Sequence, residues 1–66
     1  MAIKQYDLVR LVRDVAAWRG SLTVPAGTTG VVVDIYTNPV GYGLDVVVNG
    51  EGDNITVPAD AVELAE

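Results

Sequence analysis

The 66-residue sequence contains no cysteine and no histidine. It therefore lacks disulfides, a thiolate nucleophile, the commonest general base and the two favoured ligands of transition metals. A chain of this length buries only about 60% of the surface that its unfolded state exposes, so most of its apolar residues must serve one core. We therefore expect a single domain over residues 1–66 that is not an enzyme and has no catalytic residues, no metal site and no cofactor.

Long apolar runs are also absent. Runs such as Val31–Val33 and Val46–Val48 contain three residues and none exceeds four, whereas a membrane-spanning helix needs roughly 20 apolar residues. At the N-terminus, Asp7 and Arg10 interrupt the chain before the apolar region of a secretory signal could form. The sequence thus predicts no membrane segment, no signal peptide and a cytoplasmic location.

Phenylalanine is missing too, whereas valine, isoleucine and threonine make up almost a third of the chain. β-Branched residues favour strands, and apolar and polar residues alternate over several short segments. These features predict an all-β fold, with residues 14–22 as a long loop, residues 37–43 as a turn-rich segment, an antiparallel hairpin around Asn49-Gly50 and a 3₁₀ turn at residues 58–61. The five predicted strands are 6–12, 28–36, 44–48, 54–57 and 62–64.

The alternation also predicts which side chains face the core. On the strand over residues 28–36 it places Val32 outward, and on the strand over residues 44–48 it places Val47 outward. The predicted inward positions are Val9, Leu11, Val31, Val33, Ile35, Leu44, Val46, Val48, Ile55, Val57, Val62 and Leu64.

Four segments together resemble a family of small bacterial SH3-like domains of unknown function. They are Asp7–Leu11, Pro25–Val32 (PAGTTGVV), Leu44–Val48 and Ile55–Asp60. The resemblance implies a small five-stranded SH3-like barrel with one 3₁₀ turn before the last strand. The spacing of Gly27, Gly30 and Val32 within the second segment also resembles the KOW motif of ribosomal and transcription-associated proteins.

Charge is distributed unevenly along the chain. All four basic residues lie within residues 1–19, and residues 20–66 carry seven acidic residues and no basic one. Nucleic-acid binders draw much of their affinity from lysine and arginine at phosphates, so this balance disfavours a nucleic-acid partner. A solvated acidic surface that keeps a small protein soluble is the simpler interpretation.

The aromatic and arginine residues are the best candidates for a recognition surface, because such residues anchor many protein interfaces. Trp18 could instead cover one open end of a barrel, and Arg10 and Arg13 could simply pair with Asp7 or Asp14. The predicted partner-binding residues are Trp18, Arg19, Arg10, Arg13, Tyr42, Val32 and Val47, with Tyr42 expected in a loop.

These observations predict a non-enzymatic protein-binding module or accessory subunit whose length suggests a phage or mobile-element origin. Its partner would be another protein or a second copy of itself. Two alternatives remain at this point. One is a KOW-type RNA- or ribosome-associated domain, and the other is a structural subunit of a homo-oligomer that assembles through its strand edges.

Overall fold

The valine-rich segments of the sequence form the strands of the structure. The computed structural model describes residues 3–16, 23–48 and 50–65, and among them it contains strands and one 3₁₀ turn, so the all-β prediction is confirmed. Within these ranges no helix has the length and apolar composition needed to span a bilayer. The elements are β1 (Leu8–Leu11), β2 (Val15–Ala16), β3 (Thr23–Val24), β4 (Thr29–Thr37), β5 (Val40–Val48), β6 (Glu51–Pro58), the 3₁₀ turn (Ala59–Ala61) and β7 (Val62–Leu64).

Five of the strands form one antiparallel sheet in the order β6-β5-β4-β1-β7. Among the described residues this sheet does not close into a barrel. The segment predicted as a long loop, residues 14–22, includes β2 and ends directly before β3, and these two strands pair as a separate two-stranded ladder with Val15 opposite Val24. Both valines are buried, so Val15 within this segment and Val24 just after it belong to the core.

Two tight hairpins join the central strands. The β5–β6 connection pairs Val48 with Glu51, and Gly50 has a φ of 81°, a conformation that glycine adopts without steric cost. The predicted hairpin is thus confirmed, with β6 beginning at Glu51 instead of residue 54. The predicted turn over residues 37–43 is wrong for its second half, because only residues 38 and 39 separate β4 from β5. The Asn38–Pro39 peptide bond is cis.

The buried hydrophobic residues form one cluster, to which the main sheet, the β2–β3 ladder and the 3₁₀ turn all contribute. Seven predicted core residues are confirmed as buried, and Val48 and Leu64 pack against the cluster in half-buried positions. The buried hydrophobic residues are Val9, Leu11, Val15, Val24, Val32, Leu44, Val46, Ile55, Val57, Ala61 and Val62.

The predicted orientation of β4 is wrong. Val32, which the alternation placed outward, is fully buried, whereas Val31 and Ile35 are exposed and Val33 is half-buried. The register explains this reversal, because Gly30 lies between Val9 of β1 and Val46 of β5 on the inner face. Side chains alternate along a strand, so Val32 must then point inward like Gly30.

The pairing register between β4 and β5 shifts by one residue between Val32 and Asp34. Such irregularities bend a strand and increase its twist. Beyond this point Ile35 and Val40 are 44% and 54% exposed, respectively, although both are apolar. Residues 35–40 at the tip of the hairpin are thus exposed, whereas Tyr42, opposite Ile35, still packs against the core.

Candidate interaction surface

The structure separates the residues that the sequence grouped as one binding site. Trp18 and Arg19 lie outside the described residues. Tyr42 belongs to strand β5 rather than a loop, and its half-buried side chain packs against the core. Val32 is fully buried in this chain, so the prediction that it contacts a partner is wrong. Val47, in contrast, is 66% exposed, as predicted.

Arg10 and Arg13 both form ion pairs with residues near the C-terminal end of the chain. Nε of Arg10 lies 3.4 Å from Oε2 of Glu63, and Nη2 of Arg13 lies 2.8 Å from Oδ1 of Asp60. All four side chains are well exposed, and exposed pairs contribute about 0–1 kcal/mol to stability. Their main effect here is to offset the positive charge of the two arginines.

The partners predicted for these arginines, Asp7 and Asp14, bind backbone amides instead. Lys4 N donates to Oδ2 of Asp7 at 2.8 Å, and Ala26 N donates to Oδ1 of Asp14 at 2.7 Å. A carboxylate that accepts from a backbone N–H in a turn fixes the local chain direction. Asp7 and Asp14 therefore organise the approaches to β1 and β4, and the ion pairing predicted for them is wrong.

Three exposed aliphatic side chains cross the outer face of the sheet. Leu8 of β1 lies opposite Val31 of β4, and Val31 lies opposite Asp45 of β5, two residues before Val47. Diagonal neighbours of this kind lie on the same face of an antiparallel pair, about 7–8 Å apart. Leu8, Val31 and Val47 are 47%, 37% and 66% exposed, respectively, and we call them the outer strip.

The outer strip ends at a shallow groove between β5 and β6. Val47 lies opposite Gly52, and a Cβ built on Gly52 would have no atom within 4 Å. The absence of a side chain at Gly52 leaves the flank of Val47 open. The groove has a volume of about 490 Å³ and is lined by Asp45, Val46, Val47, Gly52, Asp53 and Asn54.

Asn54 holds the two carboxylates that line this groove. Its side-chain Nδ2 donates to Oδ1 of Asp45 across the strand pair at 2.9 Å, and its backbone N donates to Oδ1 of Asp53 at 2.8 Å. Asp45, Asp53 and Asn54 are all exposed. The groove therefore presents negative charge to solvent beside an aliphatic side chain.

Further along the outer face, Asp34 and Tyr36 lie beside Gly43. A Cβ on Gly43 would be 3.2 Å from Cβ of Asp34 and 3.6 Å from the Tyr36 hydroxyl oxygen. The tyrosine is 39% exposed, so the outer face carries an aromatic ring as well as aliphatic groups. Within the described ranges, no three or more aspartate and glutamate side chains are grouped so that they could hold a metal ion.

Sequence reasoning found Val47 but missed the rest of this surface. Leu8 and Val31 were missed because cross-strand register, which the sequence does not display, brings them together. The carboxylates of Asp45 and Asp53 carried a weak signal, since they are part of the acidic excess of residues 20–66. Comparison of the chain with protein-family models, curated protein sequences and solved structures finds no match.

Proposed function

We propose that this protein is a non-enzymatic protein-binding module that holds its partner on the outer face of the main sheet. The observation that carries the proposal is the outer strip, in which three aliphatic side chains from three strands stay in contact with water while a separate set of residues fills the core. Contiguous exposed apolar groups rimmed by polar residues mark interaction sites more often than isolated ones do.

We also propose that the architecture is SH3-like. The five strands of the main sheet, numbered one to five in chain order, are β1, β4, β5, β6 and β7. In space they follow the order four, three, two, one, five, and a 3₁₀ turn precedes the last of them. The number of strands in this sheet and the turn before the last of them agree with what the resemblance implies. In this interpretation β2 and β3 are an excursion within the first long connection.

The KOW-type RNA-binding alternative has less support from the charges. Arg10 and Arg13 already face carboxylates of their own chain, and the groove beside Val47 carries Asp45 and Asp53. Phosphates would be repelled from that groove, and few free cations remain to attract them among the described residues. Self-association through the outer strip is the remaining competitor, and the experiment below distinguishes it.

The test compares the wild-type protein with Val47→Lys, using Val40→Lys as the matched control. Val40 and Val47 stand at opposite ends of β5, roughly 23 Å apart at about 3.3 Å per residue. Both are exposed valines, so the two variants add the same charge at equivalent cost to folding. Each protein is immobilised, exposed to a host lysate and washed, and the retained proteins are identified by mass spectrometry.

A partner retained by the wild type and by Val40→Lys but lost from Val47→Lys is the expected result. Identical sets of retained proteins from all three would overturn the proposal. Sedimentation at high concentration completes the test, because a dimer that only Val47→Lys disrupts would identify the homo-oligomer alternative.

A further inference from the structure

The acidic groove lies at the edge of the sheet as well as at the end of the outer strip. β6 is the terminal strand of the main sheet and pairs there with β5. Edge strands accept extended chains through their free backbone groups. Gly52, Asp53 and Asn54 line the groove and belong to this edge strand, so one bound chain could meet both the backbone edge and the groove.

The charge on this edge selects the chain that can bind. Glu51 and Asp53 lie on β6, and Asp45 lies beside it on β5, while residues 20–66 as a whole contain no basic residue. Two copies of the protein joined edge to edge would place these carboxylates against one another, and opposed like charges destabilise strand pairing. Lysine or arginine on the incoming strand would instead gain from electrostatic complementarity.

Two of the three basic side chains that the structure describes in a second copy are already engaged. Arg10 and Arg13 of each copy are paired with Glu63 and Asp60, so binding of these arginines to another molecule's groove would first break those contacts. A basic segment of another protein would bind without breaking these two ion pairs.

We infer that the occupant is an extended basic segment of another protein that adds to the edge of β6 facing away from β5, which no strand among the described residues covers, with an aliphatic side chain reaching over Gly52 to Val47 and lysine or arginine at Asp45 and Asp53. This inference rests on the proposed protein-binding function and names the chemistry of the partner. Successive residues of a strand point to opposite faces, so residues of the segment beside Gly52 and Asn54 face Val47 and Asp45 on the outer face, and the residue between them faces Asp53 on the other. The segment therefore reads as one aliphatic residue next to one or two basic residues.

The experiment uses a display library of random peptides about ten residues long, selected on the immobilised full-length protein. The length suffices because an added strand spans about 3.3 Å per residue and β6 contains eight residues. Enriched peptides are expected to combine valine, leucine or isoleucine with adjacent lysine or arginine. The most enriched peptide is then synthesised and titrated against the variants.

The decisive variant is Asp45→Asn/Asp53→Asn, in which both side chains still offer an oxygen to Asn54. We expect its affinity for the peptide to fall at least about tenfold, since two opposed charge pairs are lost. Asp60→Asn/Glu63→Gln is the charge-matched control, because it also removes two carboxylates but lies away from the groove, and its affinity should stay within about threefold of wild type. Raising the salt from about 0.05 M to about 0.5 M should weaken the wild-type complex for the same reason.

Each other outcome separates this inference from the proposed function. Enrichment of acidic or uncharged peptides, or equal binding of the peptide by Asp45→Asn/Asp53→Asn and wild type, would overturn the inference. The proposed function would still stand in that case if the wild type retains a partner from the lysate and Val47→Lys does not. No enrichment at all would also overturn the inference. A dimer disrupted by Val47→Lys would show that a second copy, and not a basic segment, occupies the groove. If Val47→Lys binds the lysate partner and the peptide as the wild type does, both the inference and the proposed function would be overturned.

Discussion

Gly30 lies opposite Val46 so closely that no side chain fits between them: a Cβ on Gly30 would stand 2.6 Å from Cγ1 of Val46 and 2.8 Å from the carbonyl oxygen of Asp45. Contacts this short force a side chain or the backbone to move. This glycine lets β4 and β5 approach each other over the core.

Gly30→Ala should therefore destabilise the protein by about 1–3 kcal/mol, the usual cost of forcing extra atoms into a packed core. Gly52→Ala is the matched control, because its Cβ would meet nothing within 4 Å, and it should change stability by less than about 0.5 kcal/mol. Chemical denaturation followed by circular dichroism measures both. Equal stability of the two variants would refute the close approach of β4 to β5.

The corrected orientation of β4 predicts which of its valines matters most. Val32→Ala removes methyl groups from a fully buried position and should cost about 1–3 kcal/mol. Val31→Ala, at a position that is 37% exposed, should cost clearly less. Denaturant midpoints for the pair provide the check, and a larger loss for Val31→Ala would restore the orientation expected from the sequence.

Asn54→Asp should weaken folding by adding a like charge and by removing a hydrogen bond. The new carboxylate would replace the amide that donates to Asp45 and would stand beside Asp53. Exposed like charges on adjacent strands cost up to about 1 kcal/mol. The loss should shrink when salt screens the repulsion, so thermal unfolding at low and high salt is the measurement. Asn54→Gln, which stays neutral, should lack this salt dependence.

Asp60→Asn should leave the fold nearly unchanged even though it breaks the ion pair with Arg13. The carboxylate side chain is 80% exposed, and a pair in such a position contributes at most about 1 kcal/mol. Thermal unfolding of the variant beside the wild type tests this. A loss of more than about 2 kcal/mol would give Asp60 a structural role beyond the pair and disqualify it as a charge control.

The sequence predicts the side-chain orientation of β5 and β6 better than that of β4 for a physical reason. In β5, Asp45 interrupts the apolar residues and marks the outer face, so Leu44 and Val46 are assigned inward correctly. In β4, Val31 to Val33 offer no polar residue to mark either face, and the inner position next to them is Gly30, which carries no side chain. Periodicity cannot choose between the two orientations of such a run.

The remaining differences come from contacts between distant parts of the chain. Arg13 and Asp60 are 47 residues apart in the sequence, and nothing local indicates that they meet. β2 and β3 contain two residues each, which is too short for any alternation to be read. The outer strip was missed for the same reason, because its members come from three strands whose register only the fold defines.

The irregularity between Val32 and Asp34 divides the β4–β5 hairpin into two parts that differ in how well they should tolerate substitution or insertion. Residues on the core side of it are constrained by packing, whereas Ile35 and Val40 on the far side are largely in water. Exposed loop tips tolerate insertion better than packed strands do. The connection at residues 38 and 39 is thus the natural attachment point for a fluorophore or an affinity handle, at the end of β5 opposite Val47 and the groove.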